Sequence, residues 1–273
     1  MTLSTVQSLD DEREVTPEQA AAYRRDGHLV VRGLATPDEV DRYRPAIAGC
    51  VERLSTETRP LADRDTYGKA FLQVTNLWRS DRAVAQFVLS RRFARVAAAL
   101  MGVDGVRVYH DQALFKEPGG GATPWHQDRF YWPLDTDRTI TMWMPLVDVP
   151  AGMEWASGSQ LKGDLGSIEI SDSSDAHFAA LVAAGDLPLS AAGPLAAGDA
   201  TFHDGWALHR APANPTPLMR EVMTVIYFAD GVRVGAADSD ARRRDLAEWL
   251  PGLAPGDLAA SPLNPLVWSA AGR

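Results

Sequence analysis

His126 and Asp128, in the run "TPWHQDRFYW", set an imidazole and a carboxylate one residue apart. On an extended strand alternate side chains share a face, so both would project over one surface while Gln127 turns away. Neutral imidazole and carboxylate both bind divalent first-row metals. The pair alone is weak evidence, since it describes two hydrogen-bonded strand residues equally well. "GDATFHDGWALHRAP" adds His203 and His209 far downstream. Two histidines and one carboxylate on one face of an ion leave its other positions open, which is the ligand set of non-haem Fe(II) oxygenases. Zinc enzymes use the same donors, so ligand type does not choose the metal. Arg220 does. It follows the "APANPTPLM" turn at the head of "EVMTVIYFAD", and a hairpin return would carry its guanidinium back beside the ion. There it could form a bidentate salt bridge with a carboxylate whose other end chelates the metal. 2-Oxoglutarate has that shape, and a zinc hydrolase has no evident need for such an arginine.

These groups need a rigid frame, and the chain changes texture to provide one. "TPEQAAAYRRDG" predicts a helix with Thr16 as N-cap, Pro17 in the first turn and Gly27 as stop. "HLVVRGL" follows as a short strand, and the Thr-Pro-Asp-Glu signal at Thr36 starts a second helix. A third, unbroken helix is expected over "DRAVAQFVLSRRFARVAAALMG". Beyond it, "VRVYHDQALFKEPG", "TITMWMPLVDVP", "DATFHDGWALH" and "EVMTVIYFAD" read as strands rich in β-branched and aromatic residues between Gly and Pro. Strands at this density without intervening helices imply an antiparallel sandwich or barrel. "SDAHFAALVAAGDLP" reads as a helix or loop inserted between strands. The end, "WLPGLAPGDLAASPLNPLVW", is too rich in Pro and Gly for regular structure. The fold class is mainly β with flanking helices, a helical first third, a tail over residues 1–14 and one domain over 15–273.

A formal charge of −9 and a pI near 5.1 argue against nucleic-acid and anionic-membrane partners. No apolar run reaches the roughly 18 residues of a membrane span, and the polar, acidic start does not read as a signal peptide. The single cysteine, Cys50, excludes an intrachain disulfide and reads as a small buried hydrophobe. A cytoplasmic enzyme acting on a small molecule, as monomer or homodimer, is expected.

"HDQALFKEPGGGATPWHQDRFYWPL", "TMWMPLVDVP", "ASGSQ" and "GDATFHDGWALHRAPANP" with Arg220 together resemble the phytanoyl-CoA dioxygenase family, and the likeness runs from about residue 16 to the end. The resemblance implies a double-stranded β-helix (a jelly-roll, cupin-like core). It implies Fe(II), 2-oxoglutarate and O2 as cofactor and co-substrates, with iron at His126, Asp128 and His209. The far carboxylate of 2-oxoglutarate then goes to Arg220, with Gln112 and Trp143 lining its pocket. It also implies hydroxylation of an unactivated C–H bond with release of succinate and CO2. Two departures stand out. Ala211 replaces the serine or threonine that members often carry two residues after the distal histidine, and "VPAGMEWASGSQ" is a short connection ending in Gln160.

Gln73, Asn76, Tyr131 and Trp132 are the candidate substrate contacts, the first two as amides inside an apolar run that need partners. His203 is expected to be structural, and His28, His110 and His177 ordinary. Lys69 and Lys116 are candidate cationic lining, against the solvated state of most lysines, and "GGG" at 119–121 is expected to be a flexible turn. A zinc or manganese hydrolase or isomerase, and an inactive binding module, are the alternative functions.

Overall fold

The computed structural model describes residues 9–11, 13–185 and 187–272. Helix α1 (Pro17–Asp26) starts at a reciprocal cap: the Thr16 hydroxyl accepts from Gln19 N, and the Gln19 side chain accepts from Thr16 N. It stops at Gly27, whose φ of 79° is the left-handed conformation that favours glycine. After β1 (His28–Val31), α2 (Pro37–Leu54) repeats the capping box with Thr36 and Glu39. Then come α3 (Thr66–Ala70), β2 (Leu72–Thr75), α4 (Arg82–Val88) and α5 (Arg91–Met101). The remaining elements are β3 (Gly105–Phe115), β4 (Thr123–His126), β5 (Thr139–Pro145), β6 (Glu154–Ala156), α6 (Asp172–Ala183), β7 (Leu189–Ala191), β8 (Ala200–Asp204), β9 (His209–Ala211), β10 (Val222–Ala229), α7 (Asp240–Trp249) and β11 (Leu266–Ser269).

The strands form two antiparallel sheets. The major sheet has seven strands in the order β1-β8-β5-β10-β3-β11, with β2 also paired to β3; the minor sheet runs β4-β9-β6-β7. One face of the major sheet is covered by the N-terminal helices. There Phe87, Phe93, Val96 and Leu100 are fully buried against Val108, Met142 and Val225. The opposite face looks toward the minor sheet and carries the polar residues described below. Two stacked antiparallel sheets are the cupin-like jelly-roll arrangement expected. Among the described residues no helix is long and apolar enough to cross a membrane.

The structure corrects three local expectations. The long helix over 81–102 is two helices, because Ser90 caps the second by accepting from Phe93 N while its hydroxyl donates to Leu9 O at 2.8 Å. That contact also corrects part of the tail: residues 1–8 and 12 lie outside the described residues, but Leu9 is buried in the main core. The C-terminal stretch is not wholly irregular, since β11 pairs with β3 and satisfies that strand's free edge. Lys116 is fully buried, unlike most lysines, and does not line the cavity described below. Residues 172–183, left as helix or loop, form α6.

Candidate active site

The two imidazoles face each other across one strand pair. β4 and β9 are antiparallel neighbours in the minor sheet, and His126 is the register partner of His209. Their rings lie 4.1 Å apart between centroids. Each Nδ1 bonds a backbone carbonyl two residues earlier, His126 to Pro124 O at 2.7 Å and His209 to Ala207 O at 2.9 Å. These bonds fix the tautomer with hydrogen on Nδ1 and leave both Nε2 lone pairs for a metal.

Asp128 reaches the same point by a different route from the one expected. The strand ends at His126, and Asp128 opens a 3-10 turn over Asp128–Phe130, so strand alternation is not what aligns the two ligands. Gln127 does turn away, as expected. Its amide accepts from Leu165 N at 2.9 Å and donates to Gly163 O and Trp206 O at 2.8 and 2.7 Å, anchoring the turn. Asp128 Oδ1 then lies 3.5 Å from His126 Nε2 and 3.8 Å from His209 Nε2. The donor atoms of all three residues fall within 4.8 Å of one another, close enough to hold one ion.

The second carboxylate oxygen is held from the major sheet. Thr141 and His203 are register partners on β5 and β8. The Thr141 hydroxyl donates to Asp128 Oδ2 at 2.9 Å, and His203 Nε2 lies 3.3 Å from the same oxygen. One cross-strand pair thus supplies the imidazoles and a second aims the carboxylate, with Oδ1 left toward the ion. His203 stands outside the three-donor cluster and faces the other oxygen of Asp128, where a bond from it orients the carboxylate.

The charge states suit a metal. Burial opposes the charge on Asp128, yet His209, His126 and His203 around it hold its carboxyl well below the usual range. Burial, and then the neighbouring His126 and His203, push His209 well below the ordinary imidazole value. A carboxylate and a neutral imidazole at neutral pH are the forms that ligate.

The triad opens into a cavity of about 420 Å³, within the range of small-molecule sites. Trp143 and Gln112 flank Thr224 in one row across β5, β10 and β3, and all three line it. Arg220 also lines it, after crossing from the minor sheet to the major one rather than returning in a hairpin with β9. Its guanidinium lies 5.8 Å from the Trp143 ring, its Nη1 donates to Pro212 O at 3.0 Å, and its buried Nε has no partner among the described residues. Such an orphan donor beside a metal triad fits a chelating acid with a second carboxylate.

The proposed substrate contacts divide. Gln73, Tyr131 and Trp132 line the cavity. Gln73 is exposed rather than buried, accepting from Tyr67 OH at 3.2 Å and donating to Gln112 Oε1 at 2.5 Å. Asn76 does not line it: it turns the chain at φ 51°, and its Oδ1 accepts from the Trp78 indole at 3.3 Å. Asparagine tolerates that left-handed conformation at the turn after β2, which explains a polar residue in that apolar run. His110, expected to be ordinary, lines the cavity, where burial lowers it to about 4.

Residues 23–222 match the phytanoyl-CoA dioxygenase (PhyH) family. The chain belongs to this family. Its curated relatives include ectoine dioxygenases: that of Streptomyces coelicolor is 27% identical over 235 residues, spanning 76% of this chain and 75% of the relative. That of Streptomyces anulatus is 27% identical, spanning 78% of each. Among solved structures, the non-haem α-ketoglutarate-dependent epimerase SnoN from nogalamycin biosynthesis superposes with a TM-score of 0.73 at 24% identity, covering 92% of this chain and 97% of SnoN. The carbocyclase SnoK from the same biosynthesis gives 0.73 at 24% identity, covering 95% and 98%. SnoN has been crystallised with Fe3+ and α-ketoglutarate. Ectoine dioxygenase EctD from S. alaskensis, with 2-oxoglutarate and 5-hydroxyectoine, gives 0.64 at 18% identity, covering 85% and 86%. The phytanoyl-CoA dioxygenase fold and its His-Asp-His site are therefore both present, in a family of iron- and 2-oxoglutarate-dependent oxygenases.

Two cavity residues, Thr141 and Thr123, carried no usable sequence signal, and neither did the contact that Lys116 makes with Thr123. Thr141 looks like any β-branched strand residue until β8 places His203 opposite it. Thr123 and Lys116 flank the GGG turn and become neighbours only when that turn folds back, with Lys116 Nζ 3.5 Å from Thr123 Oγ1. Paired strand periodicities would have suggested the first; nothing local would have found the others.

Proposed function

We propose that the chain is a Fe(II)- and 2-oxoglutarate-dependent oxygenase that hydroxylates an unactivated C–H bond of a small metabolite, releasing succinate and CO2, in one domain over residues 15–273. The reading rests on one observation: the His126–Asp128–His209 triad and Arg220, whose buried Nε has no partner among the described residues, line the same cavity. His126, Asp128 and His209 would hold the iron. Arg220 would take the far carboxylate of 2-oxoglutarate, against the Gln112, Thr224 and Trp143 row. When bound, the iron and 2-oxoglutarate supply the oxidising power that removes hydrogen from carbon.

The protein's own share is placement. Thr141 and His203 keep Asp128 turned so that one oxygen serves the ion. Tyr67, Phe71, Tyr131, Trp132 and Trp249 give the outer cavity an aromatic wall that excludes water and packs a partly apolar substrate. Glu169 and Arg244 pair on this lining at 2.5 Å, and the carboxyl groups of Asp245 and Glu248 line it beside Trp249.

The test is anaerobic reconstitution with Fe(II), followed by 2-oxoglutarate and oxygen. Succinate is expected even without substrate. A panel of small metabolites then identifies the substrate by faster turnover, and a product heavier by one oxygen atom marks hydroxylation. A product two hydrogens lighter, or of unchanged mass, would replace hydroxylation by desaturation, ring closure or epimerisation. No succinate, together with no 2-oxoglutarate binding by calorimetry, would overturn the oxygenase reading in favour of a zinc or manganese enzyme or a binding module.

A further inference from the structure

The end of the cavity beneath α7 carries acceptors that neither the metal nor 2-oxoglutarate uses. β3 bulges at Tyr109: Ile226 pairs with His110 but Tyr227 with Val108, so Tyr109 is the extra residue and the side chains stop alternating there. Two consecutive side chains therefore both meet α7. The Tyr109 hydroxyl donates to Asp245 Oδ2 at 3.0 Å, and the His110 ring lies 4.5 Å from the Trp249 ring. His110 is 6% exposed and lines the cavity. Its Nδ1 faces Asp111 O at 3.4 Å, which places the hydrogen on Nδ1 and leaves the Nε2 lone pair without a donor among the described residues.

The charges at this end do not cancel. Arg242, Arg243 and Arg244 of α7 pair with Asp238, Asp240 and Glu169. Asp245, half-buried, and Glu248, at the exposed rim, line the cavity and have no ion pair among the described residues. The Trp249 and Tyr131 rings stand beside them. An imidazole lone pair, two carboxylates and aromatic faces are complemented by a group that donates several hydrogen bonds and carries positive charge. We infer, resting on the oxygenase reading above, that the substrate carries a protonated amine, held at this end by Asp245, His110 and the Trp249 ring, with its apolar part toward the metal triad. Asp245 is the counter-ion and Tyr109 its positioning residue; His110 Nε2 takes a second N–H. Burial pushes the Asp245 carboxyl up to about 7, and an ammonium beside it would favour its ionised form. A substrate carboxylate would meet repulsion here, and an alcohol would leave the charge uncompensated.

Anaerobic calorimetry on the protein given Mn(II) and 2-oxoglutarate tests it with phenethylamine, phenethyl alcohol and phenylacetate, which differ only in the polar end. At about pH 8 the amine is protonated and the carboxyl groups are ionised. The amine should bind about tenfold more tightly than the alcohol, the effect of a hydrogen bond between charged groups, and phenylacetate most weakly. Asp245→Asn keeps an acceptor for Tyr109 and removes the charge; it should cut the advantage of the amine to about twofold or less and leave the alcohol unchanged. His110→Phe keeps a ring against Trp249 and should weaken the amine about threefold to tenfold. Glu248→Gln, at the rim, gives a second reading should Asp245→Asn fold poorly, with a reduced preference for the amine. An alcohol bound as tightly as the amine, binding of none of the probes, or an unchanged preference in both Asp245→Asn and Glu248→Gln overturns the inference alone. A wild type that prefers the amine, yet neither binds 2-oxoglutarate nor forms succinate, overturns the oxygenase reading instead.

Discussion

Replacing Arg220 by methionine separates the cost of a buried guanidinium from its use. The residue is 7% exposed, has one backbone acceptor at 3.0 Å, and keeps an unpartnered Nε. Burial lowers the guanidinium to about 10, a displacement from the ordinary arginine value worth roughly 3 kcal/mol. Methionine keeps most of the stem and loses the bond to Pro212 O, worth about 1 kcal/mol. The ligand-free variant should therefore be more stable by about 1–2 kcal/mol, raising its melting temperature by about 2–6 °C. Binding should move the other way. Truncating one member of a buried, hydrogen-bonded charge pair costs about 2–5 kcal/mol, so the Kd for 2-oxoglutarate should rise by about 30-fold to several thousandfold. Differential scanning calorimetry of the metal-free protein and titration calorimetry with Mn(II) and 2-oxoglutarate measure the two effects. A variant that melts below wild type, or binds 2-oxoglutarate within about threefold of it, would refute the assignment and make Arg220 a structural residue.

Other expectations follow from the same geometry. His126→Ala should abolish Fe(II) uptake by metal analysis, and unchanged iron content would contradict the ligand set. His203→Ala and Thr141→Val should each weaken Co(II) binding about 10- to 100-fold, the usual effect of losing a group that orients a metal ligand; an unchanged affinity would detach the major sheet from the site. Leu9→Ala should destabilise by about 2–4 kcal/mol in urea unfolding, where a free tail would give no change. Asp245 is pushed up to about 7, chiefly by burial. Its acid form is favoured in the folded state, so its contribution is full below about pH 4 and is lost as pH rises through 7. The stability advantage of wild type over Asp245→Asn should shrink by about 1.4 kcal/mol per pH unit across that window; a pH-independent difference would show that the carboxyl is already ionised.

The legibility of the sequence followed the range of each cause. Helix caps at Thr16 and Thr36 are written within four residues, and they sit where expected. Asp128 illustrates the intermediate case: a His-x-Asp spacing correctly marks two neighbouring donors, but a 3-10 turn held by Gln127 brings them together, not strand pleating. Ser90 could not be read as a helix break, because its partner is Leu9 O, eighty residues away in the chain and invisible to local periodicity. The burial of Lys116 was illegible for a similar reason. Lysine composition favours solvent, and only the fold-back of residues 119–121 encloses this one. Arg220 reaches the cavity that its position after the turn suggested, although its path runs between sheets. Hydrophobic pattern thus marks strands well and leaves open which polar residues they bury.

The double grip on Asp128 gives any bound ion a mechanical part to play. One carboxylate oxygen meets imidazoles of the minor sheet, and the other is fastened to the major sheet. An ion there acts as a rivet through both walls of the sandwich, and its grip exists only once the walls are shut. Occupancy therefore adds to the folded state by mass action, and a lesion in the rivet loosens the sandwich as well as the chemistry.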